Sequence, residues 1–433
     1  MTKSPNAEPG IGGGRVFYGW IIVLAGTLMI LANLGIRQAF SVFLKPVSGE
    51  FGWSRATISA ALSINMAVYA PSCIVMGKLT DRFGPRVMVA GGALLTGLGL
   101  VLASRTENIW HLFLTYSLLV GIGLGVVFPA TNSGMVRWFK EKRGLALGIV
   151  NAGSGLGTLI IVPLANYLIL SYGWRDAFVY LGLLLGLLLL AAAFLMRREP
   201  QEIGLLPYGE VPGLDKEKGT AADQTTDRNG ARSGGGYTAG MALRSSAFWA
   251  LTGIHGFGAL GLFMLFPHLV AHATDIGVSP TSAANIMAMV GVSGIFGRIA
   301  IGSLSDRIGI RRGLVICLVP LALIMVWIIY IIDETSLFIF AAILGIAYGG
   351  YIPLWIGLCG ELFGSGSLGL LYGIAAFPSN IGVAIGPFLS GFIFDVMGSY
   401  DLAFGLAAAF FAMSLVSLAL VRTPPEEELR RVS

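Results

Sequence analysis

The sequence predicts an all-α membrane protein of twelve transmembrane helices in two six-helix repeats, and three observations carry that prediction. The first is composition: 55% of the 433 residues are apolar and 12% charged, where a soluble domain carries about 25% charged residues. The second is that apolar segments of spanning length recur twelve times. The third is that landmarks of the first half return in the second in one register.

The spans fall at roughly 17–43, 54–78, 86–104, 109–136, 144–168 and 175–196, then 246–272, 280–304, 312–332, 336–360, 368–394 and 400–421. The first apolar run, from Phe17, is too long for a signal peptide and reads as a true span. The chain divides into a polar, glycine-rich tail (1–16), a six-helix bundle (17–196), a linker (197–245), a second six-helix bundle (246–422) and a short tail (423–433). The linker contains EKGTAADQTTDRNGARSGGGY. It is nearly free of bulky apolar residues, which suits a flexible connection and is too short and polar for a folded sensor domain.

Orientation follows from lysine and arginine. If the termini and the linker share one side, that side holds 22 of the 28 basic residues and the other holds only Lys45, Arg55, Arg105 and Arg175. The bias predicts that both termini and the linker are cytoplasmic in a cell (inner) membrane. The basic residues lie between apolar segments rather than in one patch, so the net charge of +5 does not point to nucleic acid. Cys73, Cys317 and Cys359 lie in apolar segments without metal spacing and read as packing residues. No metal cluster and no nucleophile with its base suggests an enzyme. The glycines at 121, 123, 125, 153, 155 and 157 lie in spans, with neither a preceding strand nor a Walker lysine, and predict close helix packing rather than nucleotide binding.

The repeat is explicit. GKLTDRFGPR at Gly77–Arg86 matches GSLSDRIGIRR at Gly302–Arg312 with an offset of 225; GIGLGVVFP at Gly121–Pro129 matches GIAYGGYIP at Gly345–Pro353 with an offset of 224; WRDAF at Trp174–Phe178 echoes YDLAF at Tyr400–Phe404 with an offset of 226. A parallel duplication of six spans is a transporter architecture, with the substrate site between the halves near the midplane. Two basic residues remain inside spans, Arg37 and Arg298, and no Asp or Glu lies deep in any span. Arg298 precedes Asp306 by eight residues, so it lies ~12 Å below the boundary at 1.5 Å per residue, close to the middle of a ~30 Å core. A charge there is costly and marks function. Under the register its counterpart is Cys73.

The loop G-x-L-x-D-R-x-G-x-R, with Gly77, Asp81, Arg82, Gly84 and Arg86, resembles the cytoplasmic signature of the major facilitator superfamily, and recurs in weaker form at Gly302, Asp306, Arg307, Gly309 and Arg311. That resemblance implies the major facilitator fold and a cytoplasmic gate in which Asp81 pairs with arginines or a helix N-terminus. More specifically, YGW at Tyr18–Trp20, RWFKEKRGLALGIVNAGSGLG at Arg137–Gly157 and EFGWSRATISAA at Glu50–Ala61 are similar to the monocarboxylate transporter family, the last to its bacterial members. Two departures stand out. Gly294 occupies the position where the family often has an aspartate one turn before the eighth-span arginine, and Gln38, beside Arg37, stands where animal members carry a lysine.

The resemblance and the deep arginine together imply a secondary active transporter of small monocarboxylates of the lactate or pyruvate type, working by alternating access, with a proton as coupling ion and no cofactor. It implies a monomer whose partners are its carboxylate substrate and the bilayer. The runner-up is an anion exchanger resembling oxalate/formate antiporters, for which Arg37 is the one candidate second cation. Multidrug efflux, a third reading, suits an embedded acid that this chain lacks. Arg298 is expected to hold the substrate carboxylate, because a guanidinium offers a planar fork of donors. Tyr348 and Tyr351, at i and i+3 on the tenth span, are candidates for a hydroxy or keto group. Asn33, Asn65, Asn151 and Asn380 are intramembrane amides, of which Asn33, Asn151 and Asn380 are assigned to substrate; interhelical bonding is the alternative for each. Leu28 and Phe377 are expected as apolar walls. His255 and His268 are the proton-carrying candidates, a structural hydrogen-bonded role being the alternative. Arg37 is expected near the outer mouth as an anion-attracting vestibule residue, a snorkelling arginine being the alternative.

Overall fold

The computed structural model describes residues 17–210, 239–363 and 368–421; the tails 1–16 and 423–433 and the middle of the 197–245 linker lie outside the described residues. Among the described residues, eleven helices are long and apolar enough to cross a membrane. They are α1 (Tyr18–Phe51), α2 (Arg55–Phe83), α3 (Pro85–Ala103), α4 (Ile109–Trp138), the helix Arg143–Leu195, α7 (Ser246–Leu265), α8 (Pro280–Ile308), α9 (Ile310–Tyr330), α10 (Glu334–Phe363), α11 (Leu368–Met397) and α12 (Asp401–Leu420). Gly173 breaks Arg143–Leu195 with φ 84° and ψ 163°. Two spans therefore meet there, α5 (143–172) and α6 (174–195), and the total is the expected twelve. The seventh span continues beyond α7 as a short helix, Leu269–Asp275.

Local sequence explains the helix starts. Ser54, Ser245 and Ser279 are N-caps, their hydroxyls accepting the N–H of Thr57, Phe248 and Ser282, and Pro85 and Pro280 open their helices where no donor is lost. Within α4, Phe113–Val120 is π-helical. The Tyr116 carbonyl in that segment accepts the Asn65 amide at 2.9 Å, so Asn65 ties α2 to α4.

Small residues set the packing. A methyl on Gly157 would collide with the Leu31 carbonyl of α1, and one on Gly155 would meet the Gly291 carbonyl of α8 at 2.6 Å. The glycines therefore serve helix approach, within the first half and between halves. The halves meet along α5 with α8 and along α2 with α11.

Candidate functional site

Arg298 lies half-buried where α8 faces α5. Its Nη1 donates to the Asn151 backbone carbonyl across the two halves at 2.5 Å. It makes no ion pair among the described residues. A half-buried guanidinium held by one carbonyl keeps most of its donor fork available to an anion. Tyr348 lies beside it, and both line a narrow cleft between the halves with Leu34, Gln38, Ser154, Thr158 and Gly294. The cleft holds about 20 Å³, room for roughly one water. A larger groove of about 820 Å³ lies between α7, α11 and α12, but no charged side chain lines it; chemistry rather than size places the site at Arg298.

The other candidates scatter around that centre. Asn151 contributes its carbonyl, while its side-chain amide turns back to Leu147 O at 2.8 Å. Tyr351, expected on the Tyr348 face, is fully buried instead and its hydroxyl donates to Ile254 O at 2.9 Å. Three residues rotate a helix position by about 60°, and α10 sits between α7 and α8, so that rotation changes the neighbour. Leu28 is half-buried; Phe377 and Asn380 are exposed. Asn33 is buried and donates to Leu124 O at 3.3 Å. His255 stacks on Trp355 at 4.0 Å between ring centroids, with Nδ1 3.3 Å from the Tyr351 hydroxyl. His268 is buried, with Nδ1 2.9 Å from the Tyr400 hydroxyl and Nε2 2.9 Å from Pro387 O.

Arg37 differs from expectation. It is not an open-mouth residue: its guanidinium lies 3.6 Å over the Tyr69 ring of α2. Its Nε and Nη2, together with the Tyr69 hydroxyl and Asn33 Oδ1, are buried without a hydrogen-bond partner. The sequence showed the charge but not Tyr69, which comes from another helix.

The hydrogen bonds and ion pairs between the halves gather at the end remote from the basic loops. Arg55 of α2 donates to both Asp275 oxygens, at 2.6 and 2.9 Å, and to the Tyr400 hydroxyl at 2.8 Å, with its guanidinium 3.6 Å over Phe394. Lys45 pairs with Asp275 at 2.6 Å. Asp395 of α11 accepts the backbone N–H groups of Arg55 and Ala56, at 2.9 and 2.8 Å, so one half caps a helix of the other. Burial pushes the Asp275 carboxyl up, but the Arg55 and Lys45 hydrogen bonds outweigh it and hold it below the usual carboxylate range. No sequence motif announces this gate; its one signal is the opposed charges Lys45, Arg55, Asp275 and Asp395 at the sparsely charged end.

At the basic end Asp81 accepts from Arg137 at 3.0 Å, within its own half, and its backbone carbonyl accepts from Arg198 at 2.6 Å. Arg82 and Arg86 lie against Phe83 and Phe194, and Gly77 faces Pro129. Asp306 and Arg307 are exposed and make no ion pair among the described residues. The halves are thus joined at one end and not pinned by these loops at the other.

Comparison with known proteins agrees with this fold. A family model described as Major Facilitator Superfamily matches residues 26–272 and again 248–432. The chain is 30% identical over 409 residues to monocarboxylate transporter 13 of Bos taurus, covering 94% of this chain and 88% of that one. It is 27% identical to the oxalate:formate antiporter of Oxalobacter formigenes, covering 97% of each. Among solved structures, a bacterial homolog of the human lysosomal transporter Spinster, inward-facing and occupied, superposes with a TM-score of 0.68 at 18% identity over 97% of this chain and 98% of that chain.

Proposed function

The chain belongs to the Major Facilitator Superfamily, and we propose that within it this protein carries small monocarboxylates, such as lactate or pyruvate, together with a proton by alternating access. The observation that carries the reading is Arg298: a half-buried guanidinium at the seam of the halves with a carbonyl partner and no ion pair among the described residues. An anion completes its fork, and the neutral pair is closed off from water at less cost than the bare charge. The relatives named monocarboxylate transporters support the substrate class. A carboxylate moving alone against an inside-negative potential loses about 2.3 kcal/mol per 100 mV, and a co-moving proton removes that cost. His255 and His268 are the groups proposed to carry it. The lysine and arginine bias supports cytoplasmic termini in the cell's inner membrane.

Counterflow of labelled lactate, pyruvate, acetate and oxalate in proteoliposomes under an imposed pH gradient tests this. Accumulation of lactate driven by the inward proton gradient supports it. Accumulation that needs a trans anion and ignores the gradient replaces it with exchange, the second reading, which the antiporter relative and the second deep cation, Arg37, favour.

A further inference from the structure

We propose that Arg37 and Tyr69 form a second anion-binding site, inside the N-terminal half, for a carboxylate or another small monovalent anion. Arg37 lies eight residues before Lys45, whose ammonium sits in the closed gate, so it stands ~12 Å inside that end. It makes no ion pair among the described residues, and Nε and Nη2 are buried without partners. The Tyr69 ring beneath it holds the guanidinium plane in place, and the Tyr69 hydroxyl is a third buried donor without a partner. Three unsatisfied donors around one uncompensated cation are costly unless an acceptor joins them. Protein supplies too little: Asn33, one turn away, donates its amide to Leu124 O and leaves only Oδ1, one neutral acceptor, which neither satisfies three donors nor neutralises the charge. The chemistry that fits is a compact anion with two or more acceptor lone pairs.

This site is separate from that of Arg298. Gly153 meets Thr27 and Leu31, Gly157 meets Leu31 and Gly35, and Gly155 meets Gly291 and Ile295. Registering the helices through these contacts puts Arg37 about eleven residues, ~16 Å, further toward the gate than Arg298. Gln38 reaches the Arg298 cleft, whereas Arg37, about 100° round α1 from it, lies against Tyr69 of α2, so a lactate-sized anion does not touch both arginines. The inference rests on the carboxylate reading only for the choice of lactate as a probe; chloride serves without it.

The test uses the purified full-length chain, with Arg298→Ala as background. Equilibrium binding of labelled lactate is expected to give two sites per chain in wild type, one in Arg298→Ala and none in Arg298→Ala/Arg37→Gln. Lactate or chloride is expected to raise the unfolding midpoint of Arg298→Ala but not of the double variant, since a ligand that binds only the folded state stabilises it. Tyr69→Phe, a milder change, is expected to weaken anion binding in that background several-fold, and Arg37→Lys to retain part of it. An Arg37-dependent response to chloride alone supports the site and removes carboxylates from it. A loss of lactate transport in wild type overturns the carboxylate reading and leaves the chloride result standing. A folded Arg298→Ala protein that binds neither anion, or binds them equally well after Arg37→Gln or Tyr69→Phe, overturns the second site.

Discussion

The two halves share one frame and differ in where they place charge. Gly52 and Gly277, Gly84 and Gly309, and Gly173 and Gly398 all have positive φ, between 66° and 93°, and each pair is 225 residues apart in the sequence. Glycine is needed at these turns because other residues pay a steric cost there. The α1–α5 crossing at Leu31, Gly35 and Gly157 recurs as the α7–α11 crossing at Gly256, Leu260 and Gly382, again at 225. Yet the C-terminal pair of Arg298 and Tyr348 maps onto Cys73 and Gly123, while the N-terminal pair of Arg37 and Tyr69 maps onto Leu262 and Gly294. A duplicated scaffold thus carries one arginine–tyrosine pair per half, at positions that are not equivalent. In the proposed carrier, backbone symmetry would suit a rocking of one half against the other, and the asymmetric cations would present different surroundings to an anion from the two sides.

The comparison breaks most visibly at Arg298. Arg298→Ala removes a charge-assisted fork worth about 1.5–3 kcal/mol per bond, so lactate binding is expected to fall by at least 100-fold in a direct binding measurement. Arg298→Lys keeps the charge but loses the planar geometry, and is expected to bind more weakly than wild type while still preferring anions. Near wild-type affinity in Arg298→Ala would place the site elsewhere.

The gate separates the halves in a different sense, since it exists at one end only. Asp395→Ala leaves two N–H groups at the start of α2 without their cap, a loss of about 0.5–2 kcal/mol. It is expected to shift the carrier toward opening at that end by roughly 2- to 30-fold, read as faster labelling of a cysteine placed under the gate. Asp275 behaves by the acid rule. Its carboxyl is held below the usual range, so its contribution is present at neutral pH and fades only as pH falls through that lowered value. Labelling measured from pH 8 to pH 6 should therefore not change through Asp275.

The tyrosines of α10 sharpen the contrast between site and core. Tyr348→Phe is expected to weaken lactate binding several-fold with little loss of stability. Tyr351→Phe removes the hydroxyl that donates to Ile254 O, and is expected to cost about 1 kcal/mol of stability with affinity nearly unchanged. Equal effects of both on affinity would show that the two share one face after all.

The span count and the duplication were legible because each depends on runs and spacing, and the lone charge of Arg298 because it is a single residue in an apolar segment. The N-terminal Arg37–Tyr69 pair was not, because its partner arrives from α2 and the sequence carries no sign that ring and guanidinium meet. Tyr351 was misplaced for a related reason: an i, i+3 pair shares a face only when one neighbour covers both positions. The gate's acids sit at the ends of Leu269–Asp275 and α11, where sequence alone presents them as ordinary boundary charges. Asp395's partners there are backbone N–H groups, which no residue pattern displays.

The smallest effect is expected at Asp81, where the halves carry the same motif and use it unequally. Asp81 pairs with Arg137 inside its own half, with 66% of the Asp81 side chain exposed, and its counterpart Asp306 makes no ion pair among the described residues. An exposed pair contributes about 0–1 kcal/mol, so Asp81→Asn has little to remove in this state. A larger effect is expected in a state that brings the basic loops of the two halves together, if the carboxylate and the arginines of both motifs then face one seam. A ligand's affinity changes only as far as the balance of states changes. Asp81→Asn is therefore expected to slow lactate counterflow by a few-fold while leaving the binding constant within about 2-fold of wild type, and Asp306→Asn to do less. Turnover and equilibrium binding measured on the same preparations decide it. A large loss of affinity with normal turnover would mean that Asp81 acts on the substrate site rather than on the closing of the basic end.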